Sequence, residues 1–375
     1  MSHVPPPDSS KTRPPLRMDN YYPNQPVQTN LNYYISTLSY YVPEARPFSW
    51  LKIPLELFRS LINSLFSFFN PTSPKSPKSE PKKPTPTPIP TPSLDLASRS
   101  VLKAIFEETK KALDQGFYLL PDKTKVTLDL EPMKKSTKVW THDTLEQALD
   151  LAGRPTYDTT FETLNSDTIL AGLKLLDEGL NPLLLNMANQ TSPGGGVTSG
   201  CLAQEEELCR KSALYVSISP RDNPYIQSQM GESYLIPEHG CIYTAHVPII
   251  RERKADHFAW IASPRQLSFV SSAAYDCNPR HADSQKNPTG KAFEEGMRRK
   301  IRSQIHCALQ HNHDSLVLGA FGCGAFNQNP TQVSQWYKEE LAPYQKYFKK
   351  VCFAVLVARR SDQGNFDAFY SLFSS

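Results

Sequence analysis

The chain has 375 residues and a formal net charge of +4. At ~100–200 residues per domain this fits one large domain with an extension, or two domains; the mild charge gives no argument by itself for nucleic-acid binding, and no direct DNA binding is expected. Only 39% of the residues are hydrophobic and 33 are prolines, which excludes a uniformly globular chain and points to a folded part joined to a disordered part.

Residues 1–30 are polar and proline-rich and read as disordered. The opening Met-Ser-His-Val-Pro-Pro-Pro has no basic segment followed by an apolar core, so no secretory signal peptide is expected. A cytoplasmic location is expected, with nuclear residence or export without a signal peptide as alternatives. Residues 31–70 form a helical, aromatic segment: Leu57, Phe58, Leu61, Ile62, Leu65 and Phe66 share one helix face. Charged Lys52, Glu56 and Arg59 interrupt it, and it is shorter than the ~20 residues of a membrane span. A membrane surface or a protein partner for residues 50–69, and folding back or self-association, are the readings it allows. Residues 71–94 are a linker that proline keeps extended.

Residues 95–375 are regular. Val101, Leu102, Ile105, Phe106 and Leu113 predict a helix ending near Gly116. Strands are predicted over Thr124–Leu130 and Thr137–Thr141, and helices over Asp143–Ala152 and Asn165–Glu178. Pro182–Asn189 reads as a strand buried on both faces, followed by further buried strands over Cys241–Ile250, Gln266–Ala273, Ser315–Phe321 and Val351–Ala358. Phe293, Met297, Ile301, Ile305 and Leu309 mark a helix between them. Strands alternating with helices predict a three-layer α/β/α domain. The seven cysteines include no Cys-x-x-Cys pair, so reduced, buried thiols are expected. His306, His311 and His313 cluster near a helix C-terminus, where exposed or capping histidines are commoner than a metal site. No metal and no cofactor are expected.

The sharpest signal lies after the Pro182–Asn189 strand. Open α/β sheets bind ligands where strands end, and this strand runs into Pro193-Gly194-Gly195-Gly196. Three glycines supply no side chain; they allow close backbone approach, with amides that can form an anion nest. A tight turn is the plain alternative. A helix is predicted to begin near Gln204, carrying Glu205, Glu206 and Glu207 in its first turn. The helix dipole alone accounts for acidic residues there. Successive helix positions lie about 100° apart, which disfavours a paired-carboxylate site built from neighbours and favours a single catalytic carboxylate. A second loop, Gly322-Cys323-Gly324-Ala325-Phe326-Asn327, follows the Ser315–Phe321 strand. Two such loops suit a diphosphate, with Phe326 as a flat face for a sugar or base.

The run Asn186-Met187-Ala188-Asn189, Pro193-Gly194-Gly195-Gly196, then Ala203-Gln204-Glu205-Glu206 with Leu208-Cys209-Arg210 and Ser212 resembles the microbial-type poly(ADP-ribose) glycohydrolases, a macrodomain branch. The resemblance takes in Glu107-Glu108-Thr109, Tyr243–Arg251, Ser271–Ala274 with Asn278, and Leu318–Phe326, and spans roughly residues 98–375. It implies a macrodomain with a mixed central sheet and, as substrate, poly(ADP-ribose) or an ADP-ribosylated protein. It implies Glu206 as catalytic acid and Glu205 as the residue orienting the distal ribose, with Asn189 holding that ribose. Gly194, Gly195, Gly196, Val197 and Gln204 would wrap the ligand; Gly322, Gly324, Ala325 and Phe326 would form the second phosphate loop. Asn365 and Phe369 would lie near the adenosine end. The family usually carries Gly-Asn after the phenylalanine, where this chain has Asn327-Gln328. Cleavage requires a protonated carboxyl at the leaving oxygen, so Glu206 is expected to have a raised pKa. Removal of a single ADP-ribose from a protein, and binding without catalysis, are the rival activities.

Overall fold

The computed structural model describes residues 98–374 except 282, 283 and 285. The disordered, helical and linker segments expected over residues 1–94 lie outside that range. In chain order the main elements are α1 (Arg99–Gln115), β1 (Phe117–Leu119), β2 (Lys125–Thr127), α2 (Glu131–Ser136), β3 (Lys138–Trp140), α3 (His142–Ala148), β4 (Thr160–Leu164), α4 (Thr168–Asp177) and β5 (Pro182–Met187). There follow α5 (Gln204–Lys211), α6 (Leu214–Ile218), α7 (Pro224–Met230), β6 (Cys241–Arg251), β7 (Trp260–Ser272), α8 (Gly290–Gln310), β8 (Ser315–Leu318), α9 (Pro330–Leu341), β9 (Lys350–Ala354) and α10 (Gln363–Phe373).

Seven strands form one sheet in the order β3-β6-β7-β5-β8-β9-β4. β3, β6 and β7 pair antiparallel, whereas β7, β5, β8, β9 and β4 run parallel. The sheet is therefore mixed and lies between two helical layers. Strand alternation assigns each side chain to a layer. Leu183 and Leu185 of β5 pack with α8, α9 and α10; Leu184 packs with α1, α4 and α5. All three leucines are fully buried, as the both-faces reading of this strand requires. Each contributes about 1.5–3 kcal/mol relative to an exposed position.

Local signals explain several boundaries. Gly116 takes a left-handed φ of 72° and stops α1 by donating to Ala112 and Leu113 carbonyls. Asp167 caps α4 by accepting from the Ile169 and Leu170 amides. β7 begins six residues earlier than expected, because Trp260–Arg265 continues the hairpin with β6 while staying partly exposed. β4 is an element the hydrophobic pattern did not mark. Cys201 and Cys277 are partly exposed; the other five cysteines are buried, and all seven are free thiols.

The histidines at the end of α8 are inside the protein rather than exposed. His311 stacks on Tyr243 with ring centroids 3.5 Å apart and accepts a hydrogen bond from the Trp140 indole. His313 Nδ1 bonds the Asn181 carbonyl just before β5, at the sheet edge opposite the glycine loops. Burial lowers the pKa of His306, His311 and His313 to about 4.

Candidate active site

β5 delivers the chain to the sheet edge, where residues 188–203 turn back over the N-terminus of α5. Gln204 fixes that junction. Its Oε1 accepts from the Met187 amide at 2.9 Å, and its Nε2 donates to the Leu185 carbonyl at 2.6 Å and to Thr168 Oγ1 at 3.1 Å. Gln204, expected to touch the ligand, uses its side-chain amide to tie helix to strand. Val197 is likewise a packing residue, fully buried with Phe106 and Cys209.

Both readings of the triple glycine hold. Gly194 and Gly195 have φ of 70° and 57°, and the amides of Gly195 and Val197 close tight turns onto the carbonyls of Ser192 and Gly194. The remaining amides form a nest, and the groups it holds are the protein's own carboxyls. Gly194 N donates to Glu205 Oε1 at 3.2 Å, and Asn189 N to Glu205 Oε2 at 2.7 Å. Gly196 N donates to Glu206 Oε1 at 2.9 Å, and Ala203 N to Glu206 Oε2 at 3.0 Å. A Cβ on Gly195 would stand 2.6 Å from Glu206 Oε1 and 3.0 Å from Glu205 Oε2, so the close approach of this loop to the carboxyls depends on glycine.

Two neighbouring glutamates are therefore brought together, contrary to the single-carboxylate expectation. The 100° step between them is real, but the loop wraps the helix end and meets both. Glu207 points away, with its carboxyl 3.7 Å from Lys211 and 3.9 Å from Arg210. Glu205 and Glu206 are 4% and 8% exposed. The raised pKa falls on Glu205: burial and the charge of Glu206 push it up to about 8, against the amides of Asn189 and Gly194 that favour the carboxylate.

Asn189 uses its Oδ1 to turn the loop, accepting from the Thr191 and Ser192 amides. Its Nδ2 makes no hydrogen bond among the described residues. Asn186, to which the sequence reading gave no role, donates to Ser271 Oγ at 3.0 Å and toward Glu205 Oε1 at 3.4 Å. Its signal was present: an asparagine facing neither water nor turn, in a strand buried on both faces, must serve a buried partner.

The second loop leaves β8, the parallel neighbour of β5, at the same edge. It is strapped from outside: the Cys277 amide donates to the Phe326 carbonyl at 2.8 Å, and Asn278 Nδ2 to the Ala325 carbonyl at 2.9 Å. Gly324 and Ala325 are exposed and Phe326 is half-buried against the core. The amides of residues 324–326 have no acceptor among the described residues. Gly322 is buried scaffold; its carbonyl accepts from the Gln328 amide. Asn327 stands where the family usually has glycine and adopts φ 55°, a left-handed conformation asparagine tolerates. Gln328 is buried, its Nε2 on the Tyr275 carbonyl at 2.7 Å. The departure from the family pattern thus leaves the loop turn intact.

Asn365 lies in the first turn of α10, partly exposed. Phe369, one turn below, is corrected from ligand contact to core: it has no exposed surface and sits 5.1 Å from the Phe353 ring.

The family profile described as "Microbial-type PARG, catalytic domain" matches residues 106–252, the span that holds Asn189, the triple glycine and both buried glutamates. Over that span the chain is similar to the microbial-type PARG catalytic domain. Solved structures agree with it. A poly(ADP-ribose) glycohydrolase (PARG) from Thermomonospora curvata is 26% identical, with a TM-score of 0.60 over 72% of this chain and 99% of that one. The same bacterium's enzyme bound to the inhibitor ADP-HPD is 27% identical, with a TM-score of 0.60 over 73% of this chain and 100% of that one. The PARG from Deinococcus radiodurans in complex with ADP-ribose is 29% identical, with a TM-score of 0.54 over 66% and 98%. No curated protein matches the chain. α1 begins at Arg99, before the matched span, and packs against the back of the glycine loop.

Proposed function

We propose that this protein is a glycosidase that hydrolyses the ribose–ribose bond of poly(ADP-ribose) and releases ADP-ribose. The observation that carries the reading is the pair of buried carboxyls, Glu205 and Glu206, held by the glycine loop at the carboxyl edge of the sheet. A protein that only bound ADP-ribose would have no need of two buried acids there, since burying an ionisable group is costly.

Glu206 acts as the acid at the leaving ribose oxygen, passing on the proton that the buried pair holds at neutral pH, as the bond to the anomeric carbon breaks. Water then adds to that carbon and returns a proton to Glu206. The substrate's own diphosphate stabilises the cationic sugar. Glu205 holds that proton in the resting site through neutral pH, which limits negative charge beside the bound ribose and lets it hydrogen-bond the sugar hydroxyls. The free amides of residues 324–326 receive the diphosphate, as a backbone nest receives an anion, and Phe326 lies against the ribose.

Glu206→Gln is expected to lower turnover of poly(ADP-ribose) by at least ~10²–10⁴-fold while ADP-ribose still binds. Released ADP-ribose and calorimetric binding read the two effects. Unchanged turnover sinks the assignment. Running polymer beside a singly ADP-ribosylated protein separates polymer trimming from removal of the last unit.

A further inference from the structure

The residue between the glycine loop and the rest of the fold is Arg210, and it has no exposed surface. It occupies the last turn of α5, one helical turn after Glu206. Its Nε donates to the Leu102 carbonyl of α1 at 3.2 Å, and its Nη2 donates to the Cys201 carbonyl. Its own carbonyl accepts from Thr109 Oγ1 at 2.9 Å, a second bond to α1. Its Nη1 faces Glu207 Oε2 at 3.9 Å, and each of these atoms lacks a hydrogen-bond partner.

The Cys201 carbonyl is a telling point to hold. Both amides that grip Glu206 belong to the same short stretch, Gly196 at its start and Ala203 at its end. Cys201 lies between them and is tied back to Gly196, its amide donating to the Gly196 carbonyl at 3.1 Å. Its side chain also abuts Gly196: a Cβ there would stand 2.6 Å from Cys201 Sγ. On the other side of the stretch, a Cβ on Gly200 would collide with the Arg99 carbonyl, so α1 forms the wall against which the loop is pressed. A guanidinium has donors in a fixed planar fork and can span two carbonyls at a set separation.

We propose that Arg210 is a positioning residue for Glu206: by bridging the Leu102 and Cys201 carbonyls it sets residues 196–203 against α1, and so places the two amides that aim the carboxyl. It touches neither substrate nor reacting atoms. The chemical meaning of this rests on the glycosidase reading above; the geometry does not. Misplacement of a catalytic group by ~1 Å can cost about 10²-fold in rate.

The test uses the full chain with Arg210→Met and Arg210→Lys. Arg210→Met is expected to lower kcat on poly(ADP-ribose) by ~10–100-fold while the Kd for ADP-ribose stays within about threefold; Arg210→Lys, with one flexible cation, recovers part of the loss. In a Glu206→Gln background the Met substitution should add little, because the group it positions is gone. Hydrogen exchange supplies a readout that needs no activity: the Gly196 and Ala203 amides should lose protection in Arg210→Met while those of β8 and β9 keep theirs. Unchanged exchange at both amides, unchanged kcat, or equal losses of kcat, ADP-ribose affinity and β8 protection would each overturn the proposal. An inactive wild-type chain would overturn the glycosidase reading alone, since the exchange experiment still tests the bridge.

Discussion

The two glycine loops leave neighbouring parallel strands at one edge of the sheet, yet their backbones are used in opposite ways. In the first, over residues 194–196, the amides are engaged by Glu205, Glu206 and the loop's own turns. In the second, the amides of residues 324–326 have no acceptor among the described residues, and Gly324 and Ala325 face solvent. Similar composition therefore serves two tasks: the first loop holds acids, and the second is open to an anion. A short glycine run says that backbone will approach something closely; the residues packed behind it decide what.

This contrast can be broken experimentally, most severely at Gly195. Gly195→Ala puts a methyl against both carboxyls at a left-handed φ of 57°, and is expected to cost two orders of magnitude or more in kcat, roughly the effect of a misplaced catalytic group. Retained activity in steady-state assays would mean the carboxyls need no such contact. In the open loop, Ala325→Pro deletes one amide and is expected to weaken ADP-ribose binding by roughly 10-fold, in line with a lost charge-assisted hydrogen bond. Gly324→Ala keeps every amide and adds a Cβ with nothing within 4 Å. Its affinity should stay near wild type by calorimetry, and a larger loss than in Ala325→Pro would refute the amide cradle.

A smaller effect concerns charge. Glu205 is protonated below about 8; above that value it becomes a second anion near the diphosphate. ADP-ribose affinity should therefore fall as pH rises through about 8, by at most ~10-fold per pH unit for one proton. Titrating Kd from neutral to alkaline pH checks this, and Glu205→Gln should flatten the curve.

Much of the fold was legible because hydrophobic period survives in a layered domain. β5 was read within two residues of its end, and α8 was marked by five apolar residues four apart. β4 was not. It is an edge strand with one partner, β9, and its Thr160-Phe161-Glu162-Thr163-Leu164 carries few apolar residues. Its Glu162 is held by Lys174 of α4 at 2.8 Å, a tertiary contact that no period announces. At the site, the residue types were legible and their partners were not. The sequence gives no sign that Gln204 turns inward to β5, nor that a loop can wrap a helix end so that adjacent glutamates share it. Phe369 read as a ligand contact by position in a tail, and only packing against Phe353 reveals it as core. Arg210 lay in the matched motif without a task, because its two acceptors are carbonyls that belong to α1 and to the loop.

The buried histidines at the far end of α8 bear on how an acid limb in any pH–rate profile is to be interpreted. Unfolded imidazoles take up protons near the ordinary value of 6.5, whereas burial holds His306, His311 and His313 neutral until about 4. Their contribution to stability is complete above about 6.5 and is lost as pH falls toward 4. Activity fading in that interval would report a weakening scaffold and leave the titration of the carboxyls untouched. Following the denaturant midpoint alongside turnover tells the two apart: a midpoint that holds steady while turnover drops would return the acid limb to the chemistry.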